Sequence, residues 1–187
     1  MSGEVALVPG RSCGKCNACC SHFFVPALDK PAGVLCQHWK KNTGCTIHAS
    51  RPQACRDYFC LWRMNASLDD GWRPDLSGFI LREVFDNMPP PYAIRIPAHF
   101  TNRRGLLFEL HGPNASINTD RFIQTVASQI AQQVPVFLSV TRHGQMASIL
   151  LNEVMSDAVA SRQRSQLLGT LRDALKQLEQ AVKPPRP

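Results

Sequence analysis

The last two thirds of this 187-residue chain contain no cysteine, although eight cysteines lie between residues 13 and 60. The sequence also lacks any run close to the ~20 consecutive apolar residues that a transmembrane helix requires. Its first residues carry no basic stretch followed by an apolar core and a small-residue cleavage site, as a secretory signal would. We therefore expect a protein of a reducing compartment, the cytoplasm, with no membrane partner.

Sequence motifs of common enzyme classes are missing as well. The chain has no Walker loop, no G-x-G-x-x-G, no G-x-S-x-G and no H-E-x-x-H. It also has no tandem repeat and no low-complexity tract. These absences indicate no nucleotide or methyl-donor site, and they leave it uncertain whether the protein is an enzyme.

The cysteines are the most informative feature of the sequence. Four of them form Cys13-x-x-Cys16-x-x-Cys19-Cys20, and four more follow at Cys36, Cys45, Cys55 and Cys60. Thiolate sulfurs bind zinc and iron-sulfur clusters, and a two-residue gap lets both sulfurs of a turn reach one metal. All eight are therefore candidate metal ligands. The rival interpretation, four disulfides, would require an oxidising compartment.

The metal and the number of metal centres stay open at this point. The Cys13 run begins like that of a bacterial ferredoxin, but its fourth cysteine is adjacent to the third and the trailing Cys-Pro is absent. Zinc tolerates such irregular spacing. The clustered cysteines and nearby aromatic residues slightly favour an iron-sulfur cluster. Because neighbouring side chains diverge, either Cys19 or Cys20 is a spare thiol or the sulfurs serve two centres.

Positive charge is concentrated in the cysteine-rich part. The chain carries +7 in total, and residues 1–65 hold eight Lys or Arg against three acids, which gives +5. Nucleic acid is one partner that this asymmetry could serve, but no Lys/Arg run of the usual kind is present. Cations that offset metal-bound thiolates explain it better, and the candidates are Lys15, Lys40, Lys41, Arg51 and Arg56.

The order and spacing of these residues are specific. After the Cys13 run and Cys36 come Cys45-Thr-Ile-His48, Arg51-Pro52 and Cys55-Arg56-Asp57-Tyr58. Over residues 13 to about 62, the chain resembles the YkgJ-type cysteine-cluster family, whose domain is regarded as zinc- or iron-chelating. The resemblance implies metal chelation and no settled activity. Cys60 looks like a subgroup feature, so its loss is expected to release less metal than the loss of Cys13, Cys45 or Cys55.

The expected fold is α+β, with a small cysteine-rich metal lobe at residues 1–65 packed on a mixed α+β body at residues 66–187. Alternating and apolar runs predict strands in the body, of which the first three resemble an antiparallel meander more than a βαβ unit. We expect an antiparallel sheet with strands at Phe79–Phe85, Tyr92–Ile96, Leu106–Leu110, Val136–Val140 and Met146–Leu151.

Three helices are predicted. A short helix from Arg51 to Trp62, capped by Ser50, would place Cys55 and Phe59 on one face. Thr119 would cap a helix that ends before Pro135 and buries Phe122, Ile123, Val126 and Ile130. A long final helix, ended by Pro184-Pro185, would pack on the chain's own sheet, since two heptads are too few for a coiled coil. Its apolar stripe is Leu168, Leu171, Leu175, Leu178 and Val182.

The functional hypothesis is a cytoplasmic cysteine-cluster metalloprotein in which iron-sulfur or zinc organises the lobe. An accessory role, with a possible protein partner, is favoured over a metal-dependent redox or Lewis-acid enzyme because no acid/base pair stands out. A basic zinc module that binds nucleic acid is the weakest alternative.

Overall fold

In the computed structural model, residues 6–86, 88, 93–111, 115–142, 145–161 and 163–182 are described. The helices are α1 Ala18–His22, α2 Gln53–Asp57, α3 Leu61–Met64, α4 Pro74–Ser77, α5 Asp120–Ala131, α6 Leu151–Ser161 and α7 Arg164–Ala181. The strands are β1 Trp39–Lys40, β2 Gly44–Cys45, β3 Phe79–Phe85, β4 Arg104–Leu110, β5 Val136–Arg142 and β6 Gln145–Leu150. Short 3-10 turns occur at Pro26–Leu28, His48–Ser50 and Asp70–Trp72.

The main sheet has four strands in the order β3-β4-β5-β6. β3 pairs with β4 and β5 pairs with β6 in antiparallel fashion, whereas β4 and β5 are parallel. The α+β class is therefore confirmed, but the purely antiparallel sheet is wrong. Helix α5 carries the chain from the end of β4 back to the start of β5, and such a crossover gives parallel neighbours.

One predicted strand does not form. Tyr92 lies outside the described residues, and residues 93–96 have no strand pairing. Ile94 and Ile96 instead pack on the sheet beside Phe100, against Val84 and Leu107. The alternation that suggested a strand reflects one apolar side of an irregular segment that covers the sheet.

The helix predictions for the second half are largely confirmed, although the predicted stop at Pro184-Pro185 lies outside the described residues. The Thr119 hydroxyl accepts a hydrogen bond from the Phe122 amide at the start of α5, and all four predicted residues of that helix are buried. In α7, Leu171 and Leu178 are buried, and the next residue of the stripe, Val182, is buried as well. The stripe packs on the chain's own core. Helix α6 was not predicted, because it follows β6 without any intervening residue.

The single helix from Arg51 to Trp62 is wrong. Helix α2 ends at Asp57, Tyr58 is extended, and α3 begins after Cys60. Ser50 ends a 3-10 turn and does not cap α2. In a continuous helix, residues 58 and 60 would point about 200° apart, yet both side chains pack against the core. The break at residues 58–60 turns both of them inward.

The cysteine segment, residues 13–62, shares its core with the sheet. Ala18, Phe23, Cys60 and Trp62 belong to the same buried cluster as sheet residues such as Phe108. Among the described residues, the segment has no apolar core of its own. A separate lobe is thus not confirmed, and the division at residue 65 stays a prediction.

Candidate metal centre

All eight cysteines lie in the described part of the chain, and each is a free thiol with no disulfide. They line one cavity of about 680 Å³, together with aromatic side chains such as Phe23, Tyr58 and Trp62. Residues that are up to 47 positions apart in sequence, Cys13 and Cys60, thus reach the same space. The fold gathers every thiol of the chain in one place.

The thiols do not stand in the geometry of a single-ion site. Zinc lies about 2.3 Å from each thiolate, so four tetrahedral sulfurs stand only about 3.8 Å apart. Among the described residues, no group of three or more His, Cys, Asp or Glu side chains is placed so that it could hold a metal ion. The described residues thus show no preformed site for a single ion.

Four of the thiols, Cys13, Cys16, Cys19 and Cys60, form a first quartet. The Cys16 amide donates to the Cys13 carbonyl at 2.8 Å, which closes the turn of the Cys-x-x-Cys pair. Burial raises the pKa of Cys19 well above 9.0, and among other thiols Cys60, Cys16 and Cys13 raise it most, in that order. Burial likewise raises the pKa of Cys60, and the neighbouring thiol of Cys13 raises it further.

The first quartet is tied together by the chain before Cys13. The Val8 amide donates to the Arg63 carbonyl at 2.9 Å. The Arg11 guanidinium donates to the carbonyls of Trp62, Asn65 and Leu68, just past Cys60. These bonds hold the start of the Cys13 turn against α3, the helix that Cys60 precedes.

The other four thiols, Cys20, Cys36, Cys45 and Cys55, form a second quartet. The Cys36 amide donates to the Cys20 carbonyl at 2.9 Å, and Cys45 pairs with Trp39 in the β1–β2 ladder. Burial raises the pKa of Cys20 to about 12, and among thiols Cys45, Cys36 and Cys55 contribute most. Burial also raises the pKa of Cys55, and the neighbouring thiols of Cys36 and Cys45 raise it further.

The two quartets lie side by side. Gly44, next to Cys45, has a positive φ of 83°, and a Cβ there would stand 2.9 Å from the carbonyl oxygen of Gly14. The β2 strand of the second quartet therefore touches the turn that carries Cys13 and Cys16. A side chain at position 44 would push these two parts of the site apart.

Burial raises the pKa values of Cys16, Cys55 and Cys60, and hydrogen bonds and cations oppose that shift in part. The Ala18 amide donates to the Cys16 sulfur, and the amides of Arg63 and Trp62 donate to Cys60; each bond lowers the pKa of its thiol. The Arg63 charge also lowers the pKa of Cys60, while Arg51 and Lys30 lower that of Cys55. Such partners stabilise a thiolate over a thiol.

Only one of the cations named from the sequence acts in this way. Arg51 lies near Cys55, whereas Arg56 donates to the Gln53 side chain at 2.6 Å and Lys15, Lys40 and Lys41 are exposed. Lys30 and Arg63, which also lie beside the thiols, were not predicted. Neither stands in a motif, and only the fold brings them to the thiols.

Lys30 is buried, with 5% of its surface exposed. Its ammonium group donates to the carbonyls of Phe23, Pro31 at 2.9 Å and Ser21 at 3.4 Å. Burial lowers its pKa, and the neighbouring Cys36, Cys20 and Cys55 oppose that shift. A buried cation is costly unless it is paired, so its place beside the second quartet suits an anionic group there.

A buried ionic cluster joins α1 to the sheet behind the first quartet. The His22 Nε2 atom lies 2.5 Å from Glu109 Oε1, and the Arg82 Nε atom lies 3.1 Å from Oε2. Glu109 is fully buried. Burial alone would raise its pKa, but the bond to His22 and the charge of Arg82 outweigh burial and lower it. His22 therefore orients α1 on the sheet, and its nitrogen is engaged away from the thiols.

Comparison of the chain with protein-family models, with curated proteins and with solved structures finds no match in any of the three. Within the described residues, no helix has both the length and the apolar character needed to cross a membrane. The sequence pattern and the gathered thiols are thus the basis on which a function can be argued.

Proposed function

We propose that this chain is a cytoplasmic metalloprotein of the YkgJ cysteine-cluster type, in which cysteine thiolates hold an iron-sulfur centre or zinc. The observation that carries the proposal is that all eight cysteines, free and with no other cysteine elsewhere in the chain, line one cavity. Free thiols gathered in this number suit metal ligation in a reducing compartment.

The clustered cysteines and the aromatic side chains beside them slightly favour iron-sulfur over zinc. In a four-iron cluster each thiolate binds a different iron, so the sulfurs surround a larger object than one ion. The cavity that all eight thiols line is large enough for such a cluster. Amide donors to Cys16 and Cys60 add the N–H···S bonds that tune such clusters.

An accessory or interaction role, with a possible protein partner, is favoured because no acid/base pair stands out in the sequence. One observation favours the alternative of a metal-dependent enzyme. A cavity of about 680 Å³ falls in the size range of small-molecule sites, and it adjoins the thiols directly. An enzyme would need a metal position left open to the cavity.

The test is anaerobic purification followed by metal and sulfide analysis and visible absorption spectroscopy. We expect iron with acid-labile sulfide and a visible charge-transfer band. Stoichiometric zinc without that band would mean that the protein binds zinc and not an iron-sulfur cluster. Protein that holds neither metal as purified, and takes up neither under reducing reconstitution, would overturn the proposed function.

A further inference from the structure

We propose that the eight cysteines build two separate metal centres, one held by the first quartet and the other by the second, with adjacent Cys19 and Cys20 serving different centres. This inference rests on the proposed function and assigns its ligands. It leaves no spare thiol in the chain.

Hydrogen bonds to the backbone support the division of the thiols into two quartets. The first quartet is assembled by the Cys13–Cys16 turn and by the bonds from Val8 and Arg11 to the α3 region after Cys60. The second is assembled by the Cys36 amide bond to Cys20 and by the β1–β2 hairpin that follows Cys36. Arg51 ties Cys55 to the turn after β2, because its guanidinium donates to the carbonyls of His48 and Cys55. The two sets of tethers have no cysteine in common, so each quartet has its own framework.

Helix α1 explains how neighbouring residues serve different centres. Cys19 and Cys20 both lie inside this helix, where successive side chains point about 100° apart. One ion or cluster cannot draw on both residues without distorting the helix.

Each quartet also has cations beside it. Arg63 lies beside Cys60, and Lys30 and Arg51 lie beside the second quartet. Four thiolates around one zinc or one oxidised four-iron cluster leave a net charge of about 2−. These cations would offset part of that charge, whereas Arg73 is already paired with Asp75 at 2.6 Å.

The division changes what is expected of Cys60. The resemblance to the family suggested that Cys60 contributes little, yet it is buried, receives two amide hydrogen bonds and stands with Cys13, Cys16 and Cys19. Two centres require it as a full ligand, since the first quartet has no other fourth sulfur.

The test counts metal in single and paired cysteine-to-serine variants of the full chain, purified anaerobically. Cys13→Ser should halve the metal content, and so should Cys55→Ser. Cys13→Ser with Cys60→Ser should lose no more than Cys13→Ser alone, because both belong to one centre. Cys13→Ser with Cys55→Ser should lose all metal. Gln37→Ala is the control, since Gln37 is exposed next to Cys36 and should keep full metal content.

Cys60 is buried, so its variant could fail to fold; Cys13 is exposed and keeps the test decisive. With iron, a second readout is the electron paramagnetic resonance of dithionite-reduced protein. Adjacent reduced clusters should interact magnetically, and the interaction should vanish in either half-loaded variant. Two results would overturn the proposal of two centres but not that of metal binding. One is a metal content in the wild type that suffices for only a single centre. The other is complete loss of metal from both Cys13→Ser and Cys55→Ser. Wild type without metal would instead refute the proposed function.

Discussion

Replacing Glu109 by glutamine should destabilise the fold by about 3 kcal/mol. The change keeps the size of the side chain and removes its charge, which leaves the buried Arg82 without its ion pair. Breaking a buried pair by removing one partner costs about 3–5 kcal/mol. Arg82 keeps its position over the Phe23 ring, 5.6 Å from the centroid, which offsets part of the loss. The lower end of the range is therefore expected.

The assay is equilibrium unfolding in urea under reducing conditions, followed by the fluorescence of the buried Trp62 and Trp72. Glu83→Gln is the matched control. Glu83 lies on the same sheet and pairs with Arg104 at 3.0 Å, but both side chains are largely exposed. A surface pair of this kind contributes about 0–1 kcal/mol. Equal effects of the two substitutions would refute the burial argument.

A second variant separates charge from packing. Replacing Arg82 and Glu109 together by leucine removes both buried charges, and apolar replacements of buried pairs are often neutral or stabilising. The double variant should therefore recover most of the stability that Glu109→Gln loses. If it is less stable than Glu109→Gln, the cluster contributes through its shape and bonds to His22 more than through charge balance.

Two further outcomes follow from the structure. Burial and the charge of His22 lower the pKa of His111 to about 4. As pH falls from about 6.5 to 4, His111 is therefore protonated in the unfolded chain but still neutral in the folded chain. The free energy of unfolding should fall over that pH range by at most roughly 3 kcal/mol. In His111→Gln, the melting temperature should depend less on pH across the same range, and an unchanged pH dependence would contradict the assignment. Removing metal with a chelator should speed hydrogen exchange in residues 36–55 while α1 and α3 stay protected, because Ala18 and Trp62 lie in the shared core. Equal exchange with and without metal across residues 36–55 would contradict a structural role for the metal.

Local patterns predicted the parts of this fold that local interactions determine. The Thr119 cap, the buried face of α5 and the stripe of α7 each follow from side chains three or four residues apart. The direction of β5 does not, because antiparallel and parallel strands have similar sequences when both faces are covered. Only the path of α5 across the sheet decides it.

The sequence shows the candidate ligands but not the residues that surround them. The spacing of the cysteines is visible in the sequence, but the partners of Cys60 depend on how residues 8–11 fold back on α3. One feature of the sequence points to the buried pair of Arg82 and Glu109. Strand alternation puts Arg82 on the same face as Ile80 and Val84, and a charged residue between two buried apolar ones indicates a buried partner.

Burial raises the pKa of Cys16 to about 11 and that of Cys20 to about 12, and neighbouring acidic groups raise both further. These two thiols are therefore protonated at neutral pH. If they bind metal as proposed, the metal must displace their protons, so metal uptake should strengthen as pH rises. Uptake that does not change with pH would contradict Cys16 and Cys20 as ligands. The hydrogen bonds of Arg11 and the β1–β2 hairpin would hold the loops that carry the ligands, while the metal would stabilise the thiolates and the backbone around them.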